Sequence, residues 1–295
     1  MDLTIRRRDQ LFGYFLTIPG LATLIIIIIF PISFTILTSF FDYTLITPNH
    51  DVFVGFENYY EVIEEDYISD SVVTTAQFVF LTVFIELIVG FSIALSLNNI
   101  HRFKNIYYLI MLAPLLMNPV VVGLMWKMIL HTELGIINYL LKIINIHRFN
   151  WLGDNSLAFV SIIFVDIWHQ VSFMTILLLA GLSALPKEPY EAAKMDGASG
   201  LKCFIHITLP LMRPVIIVAI LLRIIFSVKT FDIIYIMTKG GPGISTDLIS
   251  YFIYRSAFFS LDISRASALS VGLLLSVIMF TLYLYKNMNY TNKHG

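Results

Sequence analysis

Cysteine is almost absent from this chain of 295 residues, and charge of either sign is scarce. The single Cys203 excludes a disulfide framework and a thiolate metal cluster. Charged residues make up 13% of the chain and the net charge is −1, so no basic field indicates a nucleic acid partner. The motifs HExxH, GxSxG and CxxC do not occur. We therefore predict no enzyme activity, no catalytic residue and no metal site.

Hydrophobic residues, in contrast, make up 58% of the chain, more than a soluble domain could hide from water. A spanning helix needs about 20 mostly apolar residues, and strand backbone without partners is too costly in lipid. We therefore predict an all-α, polytopic membrane protein with six transmembrane helices. The six segments are 12–40, 72–97, 106–130, 157–182, 212–237 and 266–285.

The distribution of Lys and Arg predicts the orientation of the chain. The apolar stretch 11–41 follows three arginines and is too long for a signal-peptide core, so we interpret it as a retained first span. With the N-terminus inside, eleven Lys and Arg residues fall on the inner side and five on the outer side. The first outer loop, 42–70, has eight acidic residues and no Lys or Arg. Both termini are predicted to be cytoplasmic.

Between the fourth and fifth spans, on the predicted cytosolic side, lies the polar stretch "EAAKMDGASG", residues 191–200. Glu191 complements a helix N-terminus, Gly197 permits a positive φ, and Ser199 is suited to cap a second short helix. Three apolar residues share one face of that helix: Leu201, Phe204 and Ile205. The pattern predicts a helix–glycine–helix hook suited to another protein's cleft, or else a solvated connecting loop.

A phosphate-binding loop is missing. The stretch "KGGPGIST", residues 239–246, is rich in glycine but lacks the Gly-Lys pair, and Pro242 removes a backbone donor. We interpret it as a tight turn. ATP hydrolysis, if it drives this protein, has to come from another polypeptide.

The hook resembles the EAA signature of ABC importer permeases. The matching residues are Glu191, Ala192, Ala193, Gly197, Ile207, Leu209 and Pro210. "FVGFENY" (53–59) and "NWLGD" (150–154) resemble outer loops of that family. Residues 231–258 are similar to its carbohydrate-type branch, which includes maltose and glycerol-3-phosphate permeases. These similarities occur in the family's order along nearly the whole chain.

The resemblance implies a type I ABC importer permease (MetI-like) fold in the bacterial plasma membrane. It implies that residues 1–70 form the N-terminal tail, the first helix and the first outer loop. It also implies that residues 71–290 form the permease core with five transmembrane helices, with the coupling loop at 186–210. It also implies a second permease subunit, a dimer of ATP-binding subunits, an extracytoplasmic solute-binding protein and a sugar substrate. ATP and Mg would be bound by the partner ATPase, with no cofactor in this chain. The implied ATPase-coupling residues are Glu191, Ala192, Ala193, Asp196, Gly197 and Ala198.

Two spans carry polar side chains that repeat at i, i+3, i+4 and i+7, so each set shares a helix face. Span four carries Asp166, His169, Gln170 and Phe173, and span five carries Arg223, Phe226, Ser227 and Thr230. Such groups suit sugar hydroxyls and the apolar face of a sugar ring, and the resemblance aligns them with a sugar pathway. The charges leave open an anionic or otherwise charged sugar.

Each of these residues has a structural alternative. Asp166 and Arg223 could form a buried ion pair that fixes helix packing. His169 could be a satisfied core histidine, and with Asp166 it supplies too few ligands for a structural metal site. Glu86 and Lys127 are isolated in the sequence. An ion- or proton-coupled secondary transporter, with Asp166, Glu86 and His169 as its relay, is the alternative function.

Overall fold

The computed structural model describes residues 2–46, 52–100 and 102–292, which are mostly helical. The helices are α1 (Asp2–Thr38), α2 (Glu57–Glu64), α3 (Asp66–Asn99), α4 (Lys104–Leu115), α5 (Pro119–Ile129), α6 (Ile136–Ile143), α7 (Asn155–Ser183), α8 (Glu188–Met195), α9 (Gly200–Cys203), α10 (Leu209–Val228), α11 (Asp232–Met237), α12 (Ile249–Phe258) and α13 (Ile263–Asn292). A π-helical segment, Phe204–Thr208, joins α9 to α10. Two short antiparallel strands, β1 (Phe41–Asp42) and β2 (Val52–Phe53), form a hairpin.

Five of the six predicted spans are confirmed as helices long and apolar enough to cross a bilayer. The five helices are Phe12–Thr38, Tyr67–Asn99, Asn155–Ser183, Gly200–Met237 and Ile263–Tyr283. The fifth predicted span, 212–237, is not uniform, because α10 ends at Val228 and a short break precedes α11.

The predicted span 106–130 is present as a broken span, whose two parts are together long and apolar enough to cross a bilayer. The two parts are α4 and α5, which meet at 88°. Asn118 caps the N-terminus of α5, because its side-chain oxygen accepts a hydrogen bond from Val120 N at 2.9 Å. Pro119 occupies the first helical position. Asn followed by Pro is a strong helix-start signal. The local sequence thus starts a new helix in the middle of an apolar run.

Contacts divide the chain into two compact units. One comprises residues up to 65 together with 253–276, and the other comprises 66–252 with the C-terminal residues from 277. The boundary that we drew from the sequence at residue 70 stays a prediction.

The core of the second unit lies where α3, α7 and α10 pack on one another. Small residues set how closely these helices approach. A Cβ at Gly90 of α3 would lie 3.0 Å from Met174 Cγ, and one at Gly181 of α7 would lie 2.7 Å from Val215 Cγ1 of α10. Between helices in lipid, close packing replaces the hydrophobic effect as the driving force. These glycines therefore fix the positions of α7 and α10, the helices that carry the predicted pathway residues.

In the first unit, Asn58 is the buried anchor of α2. Its Nδ2 donates to the backbone oxygens of Ser39 and Phe41, each at 2.9 Å. Arg265 at the start of α13 forms an ion pair with Glu65. The apolar side chains of α1 from Phe12 onward are exposed, as suits a helix bordered in a membrane by lipid or other chains.

Candidate functional site

A cavity of about 370 Å³ lies in the second unit, beside α7 and the end of α10. Six of the eight predicted pathway residues line it: Asp166, His169, Gln170, Phe173, Phe226 and Thr230. The rings of Phe173 and Phe226 meet edge to face with centroids 5.3 Å apart. Leu115 and Pro119, on either side of the break between α4 and α5, also border the cavity. The broken helix is therefore part of its wall.

Arg223 and Ser227 do not border the cavity, although they share a face of α10 with Phe226. Ser227 is fully buried and its hydroxyl lies 3.0 Å from Thr82 Oγ1 of α3. Arg223 is 1% exposed and faces both α3 and α7. These two residues of the stripe therefore bind other helices rather than face open space.

Arg223 is held by two carboxylates. It makes a fork-like pair with Glu86 of α3, in which Nη2 lies 2.8 Å from Oε1 and Nε contacts Oε2. Its Nη2 also contacts Asp166 Oδ2 of α7. The sequence left open an ion pair between Asp166 and Arg223, and the structure contains it. The interpretation of Glu86 as isolated is wrong, since it is fully buried in this triad.

This triad joins three spans with charge-assisted hydrogen bonds. With all three groups ionised it carries one net negative charge, and Asp166 is the member that also borders the cavity. Unpaired charge inside a membrane is costly, so each carboxylate depends on the single guanidinium.

His169 ties α7 to the break between α4 and α5. Its Nε2 lies 3.2 Å from Met117 O, and its Nδ1 lies 3.1 Å from Gln170 Nε2. Because a carbonyl only accepts, Nε2 donates to Met117 O. The hydroxyl of Ser172 donates to Met111 O of α4. The Met117 carbonyl at the break thus finds a partner on α7, as non-helical backbone at membrane depth requires, and Ser172 adds a contact between α7 and α4.

Two charged residues that the sequence reasoning left out of the site also border the cavity, Lys229 and Asp232. Lys229 Nζ lies 5.4 Å from the centre of the Phe226 ring. Among the described residues, Lys229 forms no ion pair. Its spacing of three from Phe226, which brings the two side chains together on a helix, is the signal that could have identified it. Lys127, in contrast, donates to Ile236 O at 2.8 Å and does not border the cavity.

The first helix of the hook and its bend form as the sequence predicts, whereas the second helix is shorter than predicted. Gly197 has φ +75°, and the Ser199 hydroxyl accepts from Lys202 N at 3.4 Å. Residues 191, 192 and 194–197 are exposed, so the bend faces outward. The predicted shared face of the second helix is only partly present, because α9 has four residues and the π segment follows. Phe204 packs on Phe91 with ring centroids 5.5 Å apart, whereas Leu201 and Ile205 are exposed.

The glycine-rich stretch near 240 forms a tight turn. Gly240 and Gly243 have φ of +81° and +57°, and Thr246 Oγ1 donates to Gly241 O at 2.7 Å.

Comparison with known proteins adds the following similarities. Residues 66–288 match the protein family described as binding-protein-dependent transport system inner membrane component. The trehalose/maltose transport system permease protein of Thermococcus litoralis is 36% identical over 96% of this chain and 95% of its own length. The sulfoquinovosyl glycerol transport system permease protein of Agrobacterium fabrum is 34% identical over 94% of this chain and 90% of its own length.

A solved structure is similar along the whole chain. It belongs to a bacterial ABC transporter involved in the import of the acidic polysaccharide alginate. The TM-score is 0.85 at 19% identity, and the match covers 98% of this chain and 99% of the other. At that identity the likeness establishes the fold.

Proposed function

The chain belongs to the family of binding-protein-dependent transport system inner membrane components and is a permease component of such a system, and we propose that it imports a sugar, an oligosaccharide or a sugar derivative. The observation that carries the choice of cargo is the cavity in the second unit. It combines two aromatic rings with hydrogen-bonding groups of Gln170 and Thr230. Aromatic faces suit the C–H side of a sugar ring, and polar groups suit its hydroxyls.

The charge of the cargo is a separate part of the proposal. Arg223 is occupied by Glu86 and Asp166, so it is not offered to a solute. Lys229 and Asp232 border the cavity, so both signs of charge are available there. Of the two relatives, one is named for trehalose and maltose and the other for a sulfo-sugar glycoside. We therefore include neutral and anionic sugars as cargo classes.

Energy is proposed to enter through the hook. Glu191, Ala192 and Asp196 are exposed, Gly197 supplies the bend, and Ala193 and Ala198 close it through an Ala198 N to Ala193 O hydrogen bond of 2.9 Å. A small exposed bend of this kind suits a cleft on an ATPase subunit. In this proposal the chain performs no covalent chemistry, and a dimer of partner ATPases binds ATP and Mg.

The first unit is proposed to meet the extracytoplasmic solute-binding protein. The exposed apolar residues Phe56, Tyr60 and Ile63 form a stripe along α2, beside the acidic residues Glu57, Glu61 and Glu64. An apolar stripe flanked by charge of one sign is typical of a docking surface. The proposal places α2 and the β1–β2 hairpin outside the plasma membrane and both termini in the cytoplasm, in agreement with the distribution of Lys and Arg.

The proposed heterodimer with a second permease is tested by purification. A tagged form of this chain should co-purify with a second permease and with ATP-binding subunits. In proteoliposomes, the complex should take up solute only with ATP and the loaded binding protein. A chain that purifies as a homo-oligomer and transports on an ion gradient would identify a secondary transporter instead.

The cargo and the coupling need two further experiments. Thermal shift of the binding protein against trehalose, maltose and sulfoquinovosyl glycerol should identify the sugar class. Glu191→Lys should abolish ATP-dependent uptake in an assembled complex, because it reverses the exposed charge of the hook. Normal uptake by that variant, with the complex intact, would refute the coupling role.

A further inference from the structure

The hook has two parts that are attached to the protein very differently. Helix α8 buries none of its residues. The π segment that follows α9 is attached firmly, because Phe204 packs on Phe91 and on the core of α3, α7 and α10. How closely α10 follows a movement imposed on α8 depends on what joins these two parts besides the backbone of the bend.

A single side-chain hydrogen bond joins them in the described part of the chain. Tyr190 Oη of α8 lies 3.0 Å from Thr208 Oγ1 at the end of the π segment. No other side-chain hydrogen bond or ion pair of α8 is present among the described residues. Tyr190 is half-buried and Thr208 is 6% exposed, so the bond is shielded from competing water.

The π segment places Thr208 where Tyr190 reaches it. Pro210 has no N–H, and in a regular helix its ring would clash with the carbonyl four residues earlier. The backbone instead widens, so that Leu209 N donates to Phe204 O, five residues back. The Thr208 hydroxyl is directed toward Cys203 O at 3.5 Å and toward Tyr190. Single π turns of this kind occur often at functional sites.

We propose that Tyr190 and Thr208 are positioning residues that transmit movement of α8 to α10. The inference rests on the proposed function, in which a partner ATPase moves α8. The hydrogen bond holds α8 against the base of α10, so that both move as one body and displace the cavity-lining residues at the other end of α10. Without the bond, α8 moves relative to α10 and part of the ATP-driven displacement is lost at the hook.

The test measures the distance between α8 and α10 in the purified complex. Spin labels are placed at the exposed positions 194 and 218 by Lys194→Cys and Val218→Cys, in a Cys203→Ala background. With the bond intact, the distance distribution should be narrow and the same with and without ATP and vanadate. In the double variant Tyr190→Phe/Thr208→Val, the distance distribution should broaden even without nucleotide. The population of detached α8 should rise roughly fivefold, as loss of one hydrogen bond of average net strength predicts.

Three comparisons separate the bond from general damage. Tyr190→Phe alone should broaden the distribution as the double variant does, because it removes the bond to Thr208 and leaves the contact between Thr208 and Cys203 O in place. Thr208→Ser keeps the hydroxyl and should match the parent. ATP consumed per solute imported should rise in Tyr190→Phe and Thr208→Val and return to normal in Thr208→Ser.

Unchanged distances in the double variant would overturn the inference, and so would a Thr208→Ser variant as broad as Thr208→Val. A change of the parent distance on addition of ATP and vanadate would also overturn it, because the two helices would not move as one body. The distances between α8 and α10 that are measured without nucleotide do not depend on transport. Failure of the wild-type complex to import solute would count against the proposed function alone.

Discussion

Replacing Arg223 by methionine should destabilise the protein far more than replacing any exposed arginine. The side chain is 1% exposed and is the only cation in contact with Glu86 and Asp166 among the described residues. Arg223→Met keeps much of the volume of the side chain and removes its charge. Two buried carboxylates, brought together by the guanidinium, are then left facing each other without a counterion.

Removal of one partner from a buried ion pair costs about 3–5 kcal/mol, because the remaining charge stays buried without compensation. That range corresponds to a decrease of roughly two to three and a half orders of magnitude in the ratio of folded to unfolded protein. Replacing the whole triad, by Glu86→Gln, Asp166→Asn and Arg223→Met together, leaves no charge behind. The triple variant should therefore recover most of the loss.

Arg265 provides the matched control. It also pairs with a glutamate, Glu65, but the two side chains are 27% and 31% exposed. Because water screens such a pair, Arg265→Met should cost at most about 1 kcal/mol. The free energy of unfolding is measured by titration with SDS in mixed micelles for wild type, both single variants and the triple variant.

Equal stability of Arg223→Met and Arg265→Met would refute the reasoning, since burial would then make no difference. A triple variant as unstable as Arg223→Met would refute it in a second way. In that case the loss would come from shape and packing rather than from uncompensated charge.

Three further predictions concern the hook, the cavity and the helix packing. Gly197→Ala should strain the bend by about 1–2 kcal/mol, because φ is +75°, and should lower sugar-stimulated ATPase activity. Gly200→Ala is the control: an added Cβ also meets open space there but φ is not positive, so ATPase activity should be unchanged. Lys229→Gln should reduce uptake of sulfoquinovosyl glycerol more than uptake of trehalose in the reconstituted complex, whereas Lys127→Gln should affect both equally. Gly181→Ala should lower the free energy of unfolding in SDS by about 1–3 kcal/mol, because its Cβ would lie 2.7 Å from a methyl group of α10. An unchanged free energy of unfolding would show that the two helices are free to separate.

The sequence predicted most of the membrane-spanning helices because length and apolarity are local properties. The same uniform apolarity concealed the break at residues 116–118. Asn118 and Pro119 mark a helix start, but the apolar run around them is also long enough to be a single span. The partner that makes the break tolerable, His169, is 52 residues away. No local pattern predicts such a contact.

The candidate site was predictable where helical spacing alone decides which side a residue faces. Asp166, His169, Gln170 and Phe173 all border the cavity, as their spacing on one helix predicts. Spacing could not show that Arg223 turns away, because that depends on Glu86, which is 137 residues distant. Lys229 and Asp232 border the cavity at the break between α10, which ends at Val228, and α11. Helical periodicity does not carry across such a break, so it does not predict which side these residues face.

The long-range contact at the break also has a consequence for biogenesis. During synthesis, α4 and α5 reach the membrane before the residue that accommodates the Met117 carbonyl has been made. At about 5–20 residues per second, a separation of 52 residues is roughly three to ten seconds of translation. Until α7 arrives, the Met117 carbonyl lacks the side-chain partner that it has in the folded chain. Because an unpaired carbonyl is costly in lipid, we expect the broken span to settle in the bilayer together with α7 rather than before it.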